Sequence, residues 1–234
     1  MRAAGVALLM DESNVALLPP FGNTGVEPVN VTVAWLAGTA VIWDAEDHGA
    51  AIGWDLWRKI GGSSILAGSN RHYDHGVRAD DWGWQVMWAG RGGATGTVYC
   101  EIRQTRLEAA DGLALARQLI SAGIRASRLD LAGDDLRPDA PRPRTYFDAR
   151  QTAWTRTHRD RWVFREDGTG RQTVNVGSGA SERQARIYDH APGVLRHELE
   201  LRGDVARSTA AALAVAAPAA LWAAEYGRLV RWVI

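Results

Sequence analysis

The sequence predicts an α+β fold: a curved antiparallel sheet built from two similar halves, with helices packed on one face and the other face open. Two observations predict it. Strand-like segments outnumber helical ones and are joined by turn signals such as Asp167-Gly-Thr-Gly170. Each half also follows the same order, which is a strand, a helix, several strands and a final helix. Sheets of this kind bury one face under helices and leave the other accessible to a ligand.

The predicted elements follow from apolar periodicity and from glycine and proline signals between segments. In the first half they are strands Val29–Leu36 and Val41–Trp43, a helix over Ala51–Ile60, strands Arg71–Val77, Trp84–Ala89 and Thr97–Arg103, and a helix over Leu107–Ala122. In the second half they are a strand Arg128–Asp134, a helix over Tyr146–Thr155, strands Trp162–Arg165 and Gln172–Val176, two strands within 181–203 joined at Ala191-Pro-Gly193, and a helix over Val205–Ala217.

The domain organisation follows from these elements. Residues 1–27 carry turn formers and little periodicity, so we expect an irregular segment there. Residues 28–234 are interpreted as one domain, with repeated halves at about 28–123 and 124–220. The apolar end at Val233-Ile234 indicates a domain whose C-terminal part is truncated.

Composition excludes several classes of protein. The 234 residues have a formal net charge of zero, whereas nonspecific polyanion binders are usually basic. The single cysteine, Cys100, excludes an intrachain disulfide and a thiolate metal cluster. No apolar run approaches the roughly 20 residues that a membrane helix needs, and Pro218 is expected to break the alanine-rich segment 209–224. We therefore expect a cytoplasmic protein without a membrane partner.

Arginine and tryptophan are unusually prominent. Lys59 is the only lysine, and arginines crowd the interval from Arg137 to Arg165. This interval predicts either a solvated surface or a track for nucleic acid, because guanidinium groups bind phosphate bidentately. The 11 tryptophans include Trp82, Trp84 and Trp88 close together. They favour core packing, with base stacking on an open sheet as the alternative.

Strand alternation predicts where the chemistry lies, since successive side chains of a strand point to opposite faces. Leucines at 129, 131, 199 and 201 would face the core, so the residues between them would face outward. The predicted outward sets are Arg186, Tyr188 and His190 on one strand, Arg196, Glu198, Glu200 and Arg202 on the next, and Asp130 with Asp134 upstream. A tyrosine beside several acids on an open sheet suits metal-assisted phosphodiester chemistry.

Three motifs resemble those of the replication initiation factor family, the rolling-circle initiators of plasmids and filamentous phages. They are Arg128-Leu-Asp-Leu-Ala-Gly-Asp-Asp135, Gly177-Ser-Gly-Ala-Ser-Glu-Arg-Gln-Ala-Arg-Ile-Tyr-Asp-His190 and Arg196-His-Glu-Leu-Glu-Leu-Arg-Gly203. Their order and spacing agree with the family. The resemblance implies an enzyme that nicks one DNA strand at a replication origin and forms a tyrosyl–DNA phosphodiester, with Tyr188 as the nucleophile. It implies origin DNA, single-stranded or cruciform, as partner, and it leaves open a homodimer and a host helicase.

The chemistry of this reaction suggests roles for the neighbouring residues. A phenol with a reference pKa of about 10 needs a base or a cation to become a nucleophile. A divalent metal, Mg²⁺ or Mn²⁺, on Asp130 and Glu198 would polarise the phosphate. Arg186 and Arg128 would neutralise charge on the phosphoryl oxygens. The remaining roles are His190 as an acid or base, and Arg128 with Arg196 in DNA binding.

The chain departs from the family pattern at three positions. His190 stands where the family has lysine, Gly179 where it has arginine, and Ala34 where the first strand usually carries an acid. If that acid binds metal in relatives, this chain uses Asp44 or Glu46, or its site is impaired. Two other interpretations therefore stay open: a DNA-binding relative that does not cleave, and a structural or interaction domain without a nucleic-acid role.

Overall fold

The structure is a computed structural model that describes residues 29–41, 49–52, 54–55, 66–67, 71–79, 84–103, 109–138, 140–152 and 162–229. The strands are β1 Val29–Val41, β2 Leu66–Ala67, β3 Tyr73–Ala79, β4 Trp84–Gly90, β5 Thr97–Arg103, β6 Arg125–Asp135, β7 Trp162–Glu166, β8 Gln172–Val176, β9 Arg183–Ala191 and β10 Val194–Arg202. The helices are α1 Ala109–Ser121, α2 Pro143–Thr152, α3 Gly203–Leu213 and α4 Pro218–Leu229. Residues 49–52 and 54–55 are helical too.

The strands form one antiparallel sheet in the order β2-β3-β4-β5-β1-β6-β10-β9-β8-β7. The two halves have the same strand order. In the first half β1 pairs with β5, and in the second half β6 pairs with β10 in the corresponding way. The halves meet where β1 pairs with β6. The sheet is curved and unclosed, which confirms the predicted α+β class. The proposed domain limits stay a prediction, and the expected irregular segment 1–27 lies outside the described residues.

Alternation along the central strands separates an apolar face from a charged one. Leu129 and Leu131 of β6 and Leu199 and Leu201 of β10 have no exposed surface. They join one core cluster with residues of α1, α3 and α4. Burying each leucine contributes about 2 kcal/mol relative to exposure. The core thus fixes which face of β6 and β10 turns outward.

No helix in the described ranges is long and apolar enough to cross a membrane.

Besides the two-residue strand β2, which the sequence did not predict, two elements differ from the sequence prediction. The expected turn after Leu36 is absent, because β1 continues to Val41 through Gly38. Gly38 lets β1 approach β6 closely, since a Cβ there would lie 2.4 Å from the carbonyl oxygen of Arg125. Pro218, interpreted from the sequence as a break, instead begins α4. A proline is well tolerated at the first position of a helix, where its missing N–H has no helical partner.

Substituting Gly38 tests this close approach. Gly38→Ala should lower the free energy of unfolding by about 1–3 kcal/mol, because the atom it meets belongs to backbone and the strands must separate. Gly227→Ala is the matched control, since nothing lies within 4 Å of its added methyl group on α4. That control should leave stability unchanged or raise it by up to about 1 kcal/mol. Denaturant unfolding measures both, and equal effects would refute the close-packing argument.

Candidate active site

The strand register brings three predicted segments together on the open face. Asp130 of β6 lies opposite Glu200 of β10, and Glu198 of β10 lies opposite Arg186 of β9. Tyr188 lies opposite Arg196 in the next pair along β9 and β10. Directly opposed residues of an antiparallel pair share a face. The phenol and the acids therefore occupy one surface, opposite the leucine core.

One guanidinium nitrogen lies at the centre of three carboxylates. Arg186 Nη2 donates a hydrogen bond to Glu198 Oε1 and lies 3.5 Å from Glu200 Oε2 and 4.0 Å from Asp130 Oδ2. Asp130 and Glu200 are almost fully buried although they face outward. A buried carboxylate needs a charged or hydrogen-bonding partner, and Arg186 shares this role with Arg128, which binds both acids, and with Arg202, which binds Glu200.

The two arginines predicted to bind DNA are both held by carboxylates. Arg128 forms two hydrogen bonds with Asp130, at 2.9 and 2.7 Å, and a third with Glu200 at 3.2 Å. Arg196 forms two with Asp134, at 2.6 and 2.7 Å. These bidentate contacts fix the guanidinium planes. Phosphate would therefore have to share or replace carboxylate partners at both arginines.

Tyr188 is oriented by Glu198. The phenol hydroxyl donates a hydrogen bond of 2.9 Å to Glu198 Oε2. Burial, followed by the negative charge of Glu198, raises the pKa of Tyr188 to about 12. At neutral pH only on the order of one molecule in 10⁵ would carry a phenolate. To act as a nucleophile the hydroxyl would therefore need a base, and Glu198 is the carboxylate that accepts its hydrogen bond.

His190 lies beside the tyrosine ring and not at its hydroxyl. The two rings meet edge to face with centroids 6.0 Å apart. Partial burial and the nearby Arg196 charge lower the pKa of His190 below its ordinary value. The imidazole is thus neutral at physiological pH. It contacts the Tyr188 ring, whereas the Tyr188 hydroxyl is hydrogen-bonded to Glu198, so no hydrogen bond to Tyr188 supports the predicted acid or base role of His190.

A cavity of about 500 Å³ opens next to Tyr188. Its wall includes Glu198 and Arg186 on one side and residues of β7, β8 and their connecting turn on the other. Thr173 and Asn175 of β8 contribute polar groups to this wall. The sequence reasoning missed them, although alternation along Gln172–Val176 would have placed them on the face of Tyr188.

The other half carries a similar pair. Tyr99 of β5 donates a hydrogen bond of 2.8 Å to Glu101 Oε2, and Arg103 Nε donates to Glu101 Oε1 at 2.6 Å. Gln85 also donates to Glu101. Burial raises the pKa of Tyr99 above its ordinary value, with the hydrogen bond to Glu101 adding to the effect. Four strand steps, roughly 19 Å, separate this pair from Tyr188.

The tryptophans and the arginine-rich interval singled out in the sequence lie partly in the core and partly at the surface. Trp84 is buried in the core and Trp88 packs against it, so packing and not base stacking explains these two. Trp82 lies outside the described residues, as do Arg156, Arg159 and Arg161 of the arginine-rich interval. Within that interval Arg137 and Arg142 pair with Asp135 and Asp189.

The donor chemistry fits a hard cation, but the site is filled by arginine groups in this geometry. Carboxylate oxygens suit Mg²⁺ or Mn²⁺. Both oxygens of Asp130 accept from Arg128, and those of Glu198 accept from Arg186 and Tyr188. Over the part of the chain that the structure describes, no three Asp, Glu, His or Cys side chains form a ready metal site. Asp130 and Glu198 are the residues that would hold such an ion, and the positive charge of Arg186 already lies between them.

The fold of this chain resembles that of a known protein. No protein-family model matches the sequence, and no curated protein does. A solved structure matches: the rolling circle replication initiator protein from Geobacillus stearothermophilus, with a TM-score of 0.57 and 17% identity over 80% of this chain and 79% of that one. The two chains share a fold. At this identity the likeness establishes the α+β architecture and leaves the activity to the chemistry of the site.

Asp130 should make stability depend on pH. Burial raises its pKa to about 6, against the opposing contacts with Arg128. The folded protein then holds this proton more tightly than the unfolded chain, so the contribution of Asp130 to stability falls as the pH rises from about 4 to 6. Relative to Asp130→Asn, the wild type should lose about 2 kcal/mol of unfolding free energy between about pH 4.5 and 7. A pH-independent difference in denaturant unfolding would contradict the shifted pKa.

Proposed function

We propose that this chain is a rolling-circle replication initiator that nicks one strand of DNA at a replication origin, with Tyr188 as the nucleophile. The observation that carries the proposal is the hydrogen bond from Tyr188 to Glu198, on an open sheet face and beside a cavity. The shared fold with the Geobacillus stearothermophilus initiator supports it, as do the three sequence motifs. A tyrosine held by a carboxylate is the arrangement that base-assisted attack requires.

The step follows from the contacts. The Tyr188 oxygen attacks the phosphorus, the bond from phosphorus to the 3′-oxygen breaks, and the phenol proton passes to Glu198 Oε2. The departing 3′-oxygen takes a proton from solvent and becomes a 3′-hydroxyl, while the 5′-phosphate stays on Tyr188. Because free phenolate is so scarce, proton transfer accompanies attack and does not precede it. Religation reverses the same bonds.

Arg186 is the cation best placed to stabilise the phosphate. It lines the cavity with Tyr188 and also holds Glu198. Negative charge on the phosphoryl oxygens would compete with Glu200 and Asp130 for its guanidinium, since these lie at longer range than Glu198. If phosphate replaces these acids, the charge of Arg186 is neutralised both before and after DNA binds. The attraction between Arg186 and the phosphate then increases as negative charge grows in the transition state.

A divalent metal would be held by Asp130 and Glu198, with Glu200 beside them. When bound it supplies Lewis-acid polarisation of the phosphate. The carboxylates would then exchange Arg128 and Arg186 for the ion, and the released guanidinium groups would be available to DNA. Origin DNA is the proposed partner, with a homodimer and a host helicase as further ones.

The Tyr188 assignment is tested by covalent capture. Wild-type protein with Mg²⁺ or Mn²⁺ and a 3′-labelled pool of random single-stranded oligonucleotides should give a labelled adduct that survives denaturing electrophoresis. Tyr188→Phe should give none, because it lacks the attacking oxygen, while still binding the pool. Glu198→Gln should slow adduct formation by about 10²–10⁴-fold, the range for loss of a general base.

Tyr99→Phe is the matched control, since it removes the other phenol that donates to a carboxylate on this sheet. It should form adduct at the wild-type rate. Adduct on Tyr188→Phe would refute the assignment. DNA binding without adduct in the wild type would favour a DNA-binding relative that does not cleave, and neither binding nor adduct would favour an interaction domain.

Metal binding is tested separately from cleavage. Wild-type protein should bind Mn²⁺, seen as loss of the free-ion signal in electron paramagnetic resonance. Asp130→Asn should weaken binding at least as much as the roughly 10- to 100-fold typical for losing an outer-shell partner. Asp134→Asn is the control, because Asp134 pairs with Arg196 outside the three-carboxylate cluster. Equal binding by all three proteins would remove Asp130 from the metal site.

A further inference from the structure

The cavity beside Tyr188 extends away from the carboxylate cluster and onto β7 and β8. Thr173 lies opposite Tyr188 in the β8–β9 pairing, and Arg165 lies opposite Thr173 in the β7–β8 pairing. Asn175 is next on the same face, opposite Arg186. Neighbouring strands lie about 4.8 Å apart, so the Cα atoms of Arg165 and Tyr188 are about 10 Å apart across the floor of the cavity.

Two polar groups of this wall, on Asn175 and Arg165, are free of the contacts that occupy the rest of the site, whereas Glu166 accepts a hydrogen bond from Gln172. The Asn175 amide is half-buried and makes no side-chain hydrogen bond to any residue that the structure describes. The Arg165 guanidinium forms no ion pair within the same ranges. Arg171 is exposed and faces Asp167, whose carboxylate already accepts hydrogen bonds from Thr169 and from the backbone of the turn. By contrast, Arg186 and Arg196 are both engaged by carboxylates.

We propose that this cavity binds one unpaired nucleotide adjacent to the scissile phosphate, with Asn175 contacting the base edge and Arg165 and Arg171 contacting the phosphates. The assignment rests on the proposed function. The volume of the cavity, about 500 Å³, lies within the range of small-ligand sites. An amide offers a donor and an acceptor side by side, which matches the paired N6 and N7 atoms of adenine. The subsite would thus select the base next to the cut, and Tyr188 would cut the strand whose base the subsite binds.

The test measures base preference and binding separately. Sequencing of adducts captured from the random pool should show an adenine preference at one position beside the cleaved bond. Asn175→Ala should form adduct but reduce that preference by about 5- to 150-fold, the range for one bidentate contact between an amide and a base. Gln184→Ala is the matched control, because Gln184 lies on the same face of β9 but binds the carbonyl of Ser178 outside the cavity. It should keep the preference.

Phosphate binding is measured from salt dependence in the Tyr188→Phe background, where nothing is cleaved. Replacing both Arg165 and Arg171 by alanine should flatten the slope of log affinity against log salt by about 1.4, since each single-strand phosphate that is no longer neutralised reduces it by about 0.7. Arg207→Ala on α3 should leave the slope unchanged, because Arg207 pairs with Asp204 away from the cavity. Unchanged slope and unchanged base preference would overturn the subsite, even with adduct on Tyr188. A changed slope in the Tyr188→Phe background, together with no adduct from the protein that retains Tyr188, would keep the subsite and refute the nickase.

Discussion

The pairing of buried carboxylates with arginine on an otherwise accessible sheet face is the interaction on which this site depends. Asp130 and Glu200 have almost no exposed surface, and ionised acids cannot stay there without cations. Arg128 binds both acids, Arg202 also binds Glu200, and Arg186 lies 3.5 Å from Glu200 and 4.0 Å from Asp130. Losing one partner of a buried pair typically costs about 3–5 kcal/mol, so substitutions here will affect folding as well as chemistry. Neutral isosteres are therefore more informative than alanine at these acids.

The two halves of the sheet offer a comparison within one molecule. Both carry a phenol that donates to a carboxylate, at Tyr99 and at Tyr188. Glu101 is buried and accepts hydrogen bonds from three donors. Glu198 has one guanidinium and one phenol, and its tyrosine borders a cavity. The same pair is therefore enclosed by further donors in one half and borders a cavity in the other.

Alternation explains how much the sequence could predict. A period of two, with the leucines of β6 and β10 as reference, was enough to place Tyr188, Asp130 and Glu198 on one face. It left open whether Asp130 and Glu198 would be paired with arginine, because that depends on side-chain reach, along β6 from Arg128 to Asp130 and across strands from Arg186 to Glu198. It also misjudged β1, where the small residues around Gly38 resemble a turn but serve the close contact with β6. The start of α4 was missed because Pro218 acts as a first helical residue and not as a break.

The first strand carries a β-bulge that changes the site. At Ala34, where the motif resemblance predicts an acid, a register shift of β1 against β6 falls between Val33 and Trp35. A bulge of this kind turns the next side chain to the other face, so Trp35 lies on the open face opposite Asp130. The guanidinium carbons of Arg128 and Arg103 lie 3.8 and 4.1 Å from its ring centroid. An indole holds such cations by about 0.5–2 kcal/mol without neutralising them. Trp35 therefore adds no negative charge beside Arg128, whose acidic partners are Asp130 and Glu200.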